Sequence, residues 1–298
     1  MRAVVTGGAG FIGSHVVDAL LARGDEADVV DTLATGRREN LDPAATLHER
    51  DIRDGLAGLF EQLRPEVVIH LAAQADVGTS VADPELDASV NVLGTLAVLE
   101  AARAVEAQIV FSSTGGAIYG DVDRPAAEDD ERRPVSPYGT AKLAAEEYLA
   151  TWNRLHGTRH VVLRFANVYG PRQLAKLEGG VVAIFMDRLR AGEGVTIFGD
   201  GEQTRDFVYV GDVVEAILAA VGREGGTFNV GTGEETAVND LFAACRDVAG
   251  VETEAAYAPA RAGDALRSVL DVSRIERELG WRPRHSLEEG LRATWLAG

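Results

Sequence analysis

Apolar and polar positions along the first half of the chain alternate between two rhythms. Short runs of buried character occupy Ala3–Thr6, Ala27–Asp31, Glu66–His70, Gln108–Ser112 and His160–Phe165. Between them lie stretches with helical spacing: Phe11–Arg23, part of Gly55–Leu63, Pro84–Ala104 and Pro137–His156. Fully apolar strands separated by helices predict a parallel sheet covered on both faces, with right-handed crossovers and a ligand at the carboxyl ends of the strands. After Phe165 the rhythm changes. Residues 167–205 read as a Gly/Pro-rich loop, a helix near Val181–Arg190 and a strand around Val195–Phe198. The segment 207–230 reads as a return to the sheet through FVYV, a helix from Asp212 and FNVG. Capping-box patterns at Ser273/Glu276 and Ser286/Glu289 predict two late helices.

The expected architecture is α/β. A doubly wound parallel sheet takes residues 1–166 plus roughly 207–235, and a smaller C-terminal α/β subdomain takes 167–206 plus roughly 236–298. The 298 residues suffice for a substantial core. No apolar run reaches the roughly 20 residues of a membrane helix, and the strand pattern from Ala3 is not that of a signal peptide.

Charge narrows the partners. A formal net charge of −18 repels phosphate backbones and excludes nucleic acid as a natural partner. The same field opposes any anionic substrate, so a site for one has to gather its own arginines. The single cysteine, Cys245, can form no intrachain disulfide and lies on an apolar helix face. The six histidines lack ligand spacing, and no metal site is expected.

The segment TGGAGFIG at 6–13 follows a strand and opens a helix. Glycines there allow a tight turn and close approach of backbone to a pyrophosphate, whose charge sits at the helix N-terminus. Asp31 ends the next strand, 18 residues after Gly13. A carboxylate at that place accepts from adenosine ribose hydroxyls and repels a 2′-phosphate, which favours NAD over NADP. Arg37 and Arg38, a few residues on, pull the other way. Tyr138 and Lys142 are four apart at the start of a helix and share one face. A nearby ammonium stabilises a phenolate and equips the tyrosine as a base. Upstream, FSSTGGAIYG at 111–120 places Ser112, Ser113 and Thr114 at a strand's carboxyl end.

Taken in order, TGGAGFIG, Asp31, DI at 51–52, HLAAQ at 70–74, NVLGT at 91–95, SSTGGAIYG at 112–120, SPYGTAK at 136–142, RFANVYGPRQ at 164–173, FGDGEQTRDFVYVGD at 198–212 and RAGD at 261–264 resemble the extended short-chain dehydrogenase/reductase family, with its Rossmann domain. The chain looks most like the family's UDP-hexose 4-epimerases, enzymes of carbohydrate metabolism. The resemblance implies NAD as cofactor. It puts Gly7, Gly10, Phe11, Ile12 and Gly13 at the pyrophosphate, Asp31 at the ribose, and Asp51 and Ile52 at adenine. Leu71, Ala72, Ala73 and Asn91 border the cofactor in this reading, with Ser112 and Phe165 at the nicotinamide. Thr114, Tyr138 and Lys142 form the implied catalytic triad. Asn167, Arg205 and Arg261 would meet the substrate diphosphate, Asp264 the uridine ribose, and the backbone at Thr196 and Phe198 the uracil. Ser268, seven residues after Arg261, is small where relatives carry a bulky gate, which implies room for N-acetylated hexoses. A cytoplasmic homodimer paired through the two long helices is the implied assembly.

Gly115 and Gly116 stand where related dehydratases carry an acidic pair, which disfavours dehydration. The glucuronate-type epimerases and decarboxylases need a cation after GPRQ; here Leu174 and Ala175 follow, with Lys176 the remaining candidate. A reductase and a silent dinucleotide sensor are further readings. Retention of both Tyr138 and Lys142 argues against the sensor. Gly78, where relatives frequently carry a larger polar residue, has no assigned consequence.

Overall fold

The computed structural model describes residues 1–175, 180–260 and 265–298. Seven parallel strands form the central sheet. They are β1 (Arg2–Thr6), β2 (Glu26–Asp31), β3 (Thr46–Glu49), β4 (Val67–His70), β5 (Gln108–Thr114), β6 (Val161–Phe165) and β11 (Gly226–Val230), in the order β11-β6-β5-β4-β1-β2-β3. Strand order reverses between β1 and β4, so a crevice opens at their carboxyl ends, the place where a doubly wound sheet receives its ligand.

Both faces of the sheet are buried. One packs Val5, Ile69 and Leu163 against α1 (Phe11–Ala22) and the helix Val210–Ala220. The other packs Val4, Val68, Ile109 and Phe111 against α2 (Ala57–Leu63), α5 (Thr95–Ala104) and α7 (Pro137–His156). A third core lies outside the sheet. There Phe185, Ile197, Phe207, Phe242 and Leu291 join the late helices Val181–Ala191, Val238–Ala249 and Leu287–Leu296 to β8 (Val195–Phe198).

Several expectations are revised. The stretch 84–104 is not one helix. It is α4 (Pro84–Ala88), a π-helical turn over Ser89–Gly94, then α5. The widened turn passes close to the second face of the sheet. A Cβ at Gly94 would come within 2.5 Å of Ile52. A separate short helix, α3 (Val77–Ala82), precedes it. The FVYV run does not enter the central sheet. As β10 (Phe207–Tyr209) it pairs with β7 (Asn167–Tyr169), and the helix that follows begins at Val210. Ser273 makes no capping box with Glu276; the side chain of Asp271 accepts from the Ser273 amide instead, at 2.8 Å. Ser286 and Glu289 do form theirs.

Candidate active site

The glycine turn is shaped by what surrounds it. Gly7 adopts φ +71°, and a Cβ there would sit 2.7 Å from the amide nitrogen of Ala72. A Cβ on Gly13 would overlap the Gly7 carbonyl. These residues bring the start of α1 down onto the sheet, and Gly10 at the helix N-cap supplies no side chain to its open N–H groups. That end is therefore ready for an anion.

In front of it lies a cavity of about 540 Å³, a size that suits a cofactor. Gly7, Gly10, Phe11, Ile12 and Gly13 form its floor. Asp31, Asp51 and Ile52 stand at one end, and Ser112, Thr114, Tyr138, Lys142 and Phe165 at the other, with Leu71, Ala72 and Ala73 between. The Asp31 carboxylate is almost enclosed. It accepts from the amides of Ala9 (3.0 Å) and Leu33 (2.8 Å), fixing the glycine turn and the turn after β2. Asp51 caps the short turn after it and is clamped by Arg53, whose hydrogen bonds hold its carboxyl below the usual range. Among the described residues of the wall, neither Arg37 nor Arg38 takes part, and Arg38 turns away to Glu49 at 3.2 Å. The residues thus fit a dinucleotide with an unphosphorylated adenosine ribose.

Asn91 is not among the residues that line the cavity. It stands behind the wall, buried. Its side chain accepts from the Gln74 amide and donates to the Gln74 carbonyl and to Asp87, all at 2.9 Å. His70 performs a similar service. Burial, helped by the Lys142 charge, pushes its pKa down to about 3, so the ring is neutral. The Thr95 hydroxyl donates to the Asn91 carbonyl. His70 Nε2 therefore donates to Thr95, and Nδ1 accepts from Thr6 at 2.7 Å. This chain holds the 71–74 wall against β1.

At the reacting end, Lys142 is enclosed and donates to the carbonyl of Ser112 at 2.9 Å, with its ammonium 4.8 Å from the Phe111 ring centroid. Burial draws its pKa down to about 8, against the pull of Asp87 and Glu146. Tyr138 is pushed up to about 12 by burial and by the Asp87 carboxylate, with a hydrogen bond to Thr114 opposing. Asp87 was not foreseen. It is buried on α4, and burial raises its own pKa against hydrogen bonds from Gln74 and Asn91. Gln74 and Gln173 also line the cavity. Both stand inside motifs noted in the sequence, but amide side chains there carried no distinguishing signal.

Of the residues expected at a substrate, Thr114, Asn167 and Ser268 surround Gly116. A Cβ built on Gly116 would stand 3.6 Å from Asn167 Oδ1 and 4.0 Å from both Ser268 Oγ and Thr114 Oγ1. Ser268, on β14 (Arg267–Ser268), is in register with Arg205 on β9 (Thr204–Arg205). Arg205 donates to the carbonyl of Thr204 at 2.8 Å. Thr196 is exposed on β8, and the carbonyl of Phe198 accepts from Gln203 at 2.8 Å. Arg261, Asp264 and Lys176 lie outside the described residues.

A doubly wound sheet, a glycine turn under an uncapped helix and a Tyr/Lys/Thr cluster at the far end of one cavity define a dinucleotide-dependent enzyme of the short-chain dehydrogenase/reductase type. The chain belongs to the NAD dependent epimerase/dehydratase family, whose model matches residues 3–231. Over 304 residues it is 46% identical to the UDP-glucose 4-epimerase of Mycolicibacterium smegmatis, covering 99% of this chain and 97% of that one. Among solved structures, the UDP-glucose 4-epimerase of Thermotoga maritima with UDP-glucose superposes with a TM-score of 0.98 at 48% identity, over 100% and 98% of the two chains. The UDP-glucose 4-epimerase of Thermus thermophilus in complex with NAD gives 0.94 at 47% identity, over 100% and 98%.

Proposed function

We propose that this protein interconverts UDP-hexoses at C4, using NAD that it keeps through the cycle. The observation that carries the reading is the gathering of Thr114, Tyr138 and Lys142 at one end of a cavity whose other end holds Asp31. When bound, NAD accepts a hydride from C4 and returns it. Tyr138, as phenolate, takes the proton of the C4 hydroxyl as the hydride leaves, and gives it back when the hydride returns to the other face of the 4-ketose. Thr114 hydrogen-bonds the same oxygen. Lys142 keeps the phenolate accessible by its charge and its anchorage to Ser112. No net oxidation results, and no second substrate is consumed.

Asn167, Arg205 and Arg261 hold the diphosphate in this reading, Asp264 the ribose and the 196–198 backbone the uracil. Fixed guanidinium groups answer the problem set by the net charge of −18. The glycine pair supports epimerisation over dehydration. Neither glycine carries a group that can transfer a proton, and a Cβ at Gly115 would press on the Leu270 side chain at 2.6 Å. The small Ser268 beside Gly116 supports acceptance of N-acetylated hexoses.

The nucleotide-sugar unit comprises 167–206 and roughly 236–298, and the NAD unit 1–166 with roughly 207–235; β10 lies at their seam. Two copies pair through the α7 side, where Leu93, Tyr148 and Leu155 are exposed. This reading takes the cytoplasm as the place of work. No described helix is long and apolar enough to cross a membrane.

The test is incubation of purified protein, without added NAD, with UDP-galactose, UDP-glucose, UDP-N-acetylglucosamine and UDP-glucuronate in separate tubes followed by proton NMR. The C4 epimer of a neutral hexose, with nothing else consumed, is expected. Turnover of UDP-glucuronate alone would replace this reading with the acid-sugar one. No change in any tube after NAD is added would sink it.

A further inference from the structure

Segment 170–173 leaves β7 and runs to α1 beside the cofactor cavity, and two residues on the outer side of α1 grip it. His15 Nε2 lies 2.9 Å from the carbonyl oxygen of Pro171, and Arg172 Nη2 lies 2.8 Å from Asp18 Oδ2. Neither His15 nor Asp18 faces the cavity, but their neighbours do. Phe11 meets the His15 ring edge-on at 6.2 Å and belongs to the cavity floor, and Gln173 belongs to its wall. The Gln173 amide in turn donates to the Val168 carbonyl at 3.1 Å. The segment is thus pinned at both ends, to β7 and to α1.

Arg172 holds φ +69°, a left-handed conformation that is unfavourable for a non-glycine residue. Such a conformation persists where surrounding contacts demand it, and here it sends the guanidinium to Asp18. Burial lowers the His15 pKa, against the Pro171 hydrogen bond. The carbonyl can only accept, so in this contact Nε2 carries the proton and donates.

We infer that His15, Asp18 and Arg172 form a fastening that closes segment 170–173 over the cofactor and sets how long NAD stays bound. The inference rests on the epimerase reading, in which the reduced cofactor has to remain in place while the 4-ketose turns over. These three are positioning residues: they act through Phe11 and Gln173 and touch neither substrate nor cofactor.

The experiment measures NAD dissociation directly. Wild type, Asp18→Asn, Arg172→Gln and the double variant Asp18→Asn with His15→Leu are loaded with NAD and freed of excess. Each is then chased with ADP-ribose while released NAD is counted against time. A part-exposed ion pair predicts acceleration on the order of threefold for each single variant. Loss of the hydrogen bond as well predicts about tenfold for the double. The exchanged pair Asp18→Arg with Arg172→Asp should return towards the wild-type rate, which a mere packing role would not produce. Salt at 1 M should raise the wild-type rate to that of the single variants. A double variant, or where it does not fold the two surface variants, releasing NAD within experimental error of wild type would overturn the fastening alone. A wild type that takes up no NAD would overturn the underlying reading and this one with it.

Discussion

The ammonium of Lys142 donates to the main-chain carbonyl of Ser112 across 2.9 Å. The bond ties the first turns of α7 to the carboxyl end of β5. Ser112 and Thr114 project from the same side of that strand, and Tyr138 lies one helical turn before Lys142 on the same side of α7. Fixing the helix against the strand at Ser112 therefore sets Tyr138 opposite Thr114, whose hydroxyl opposes the rise of the tyrosine pKa. Main chain thus aligns Tyr138 with Thr114 as much as side chains do.

Tyr138→Phe removes the proton acceptor and leaves the ring's packing in place. Turnover should fall by about a thousandfold, within the usual range for losing a general acid–base group. NAD retention should stay near the wild-type level. Progress curves by NMR, with bound NAD counted in the same sample, check both halves. Near-normal turnover would remove Tyr138 from the chemistry.

Lys142→Met should inactivate the enzyme and stabilise it. Burial holds the Lys142 pKa at about 8 against an ordinary value of 10.5. Below pH 8 the lysine is charged in both folded and unfolded chains, and the fold bears the whole desolvation cost. Between pH 8 and 10.5 the unfolded chain binds more protons, so the cost is relieved as pH rises. The Met variant should be more stable by on the order of 1–3 kcal/mol at pH 7. The advantage should vanish by pH 10.5. Paired denaturant titrations at the two pH values read the difference directly. A Met variant less stable than wild type at pH 7 would show that the ammonium's contacts to Ser112 and Phe111 outweigh its burial.

The buried Asp87 carboxylate raises the pKa of both Tyr138 and Lys142. Asp87→Asn keeps an acceptor for the hydrogen bonds from Gln74 (3.0 Å) and Asn91 (2.9 Å) while removing the charge. Tyr138 then ionises more easily, and Lys142 loses its proton more easily. Both limbs of kcat against pH should therefore move to lower pH, because Asp87 raises the pKa of each group. A profile that falls in height without moving would reduce Asp87 to a tether for Gln74 and Asn91.

What could be read from the sequence follows from where burial repeats. β1, β4, β5 and β6 are sealed on both faces, so their apolar runs announce themselves. β3 escaped notice because Thr46–Glu49 is a half-exposed edge strand with no such run. The continuous helical spacing of 84–104 concealed the π turn, because a single widened turn leaves the amphipathic pattern on both sides intact. FVYV looked like a sheet strand and is apolar for another reason: Phe207 and Tyr209 pack against the late helices. The glycine turn, Asp31 and the Tyr138–Lys142 spacing were legible because local geometry fixes them. Asp87 was not, since nothing in PELDASV tells a buried carboxylate from a solvated helix start; only the fold of α4 against α7 encloses it.

Ser268→Tyr tests how sugar size is read. Ser268 is buried, and its hydroxyl lies with those of Thr114 and the amide of Asn167 around Gly116, whose missing side chain leaves the space between them. A phenol ring introduced from β14 takes up that space. An N-acetyl group adds several heavy atoms to a hexose, and exclusion of even one methylene from a fitted pocket changes kcat/KM by about 10- to 200-fold. Turnover of UDP-N-acetylglucosamine should therefore fall by more than tenfold relative to UDP-glucose, with NAD retention unchanged because Ser268 is not among the residues of the described cofactor wall. Competition between the two sugars in one tube, followed by NMR, gives the ratio free of enzyme-concentration error. Equal losses on both would mean that the ring blocks the hexose itself, and an unchanged ratio at full activity would place the N-acetyl group elsewhere in the site.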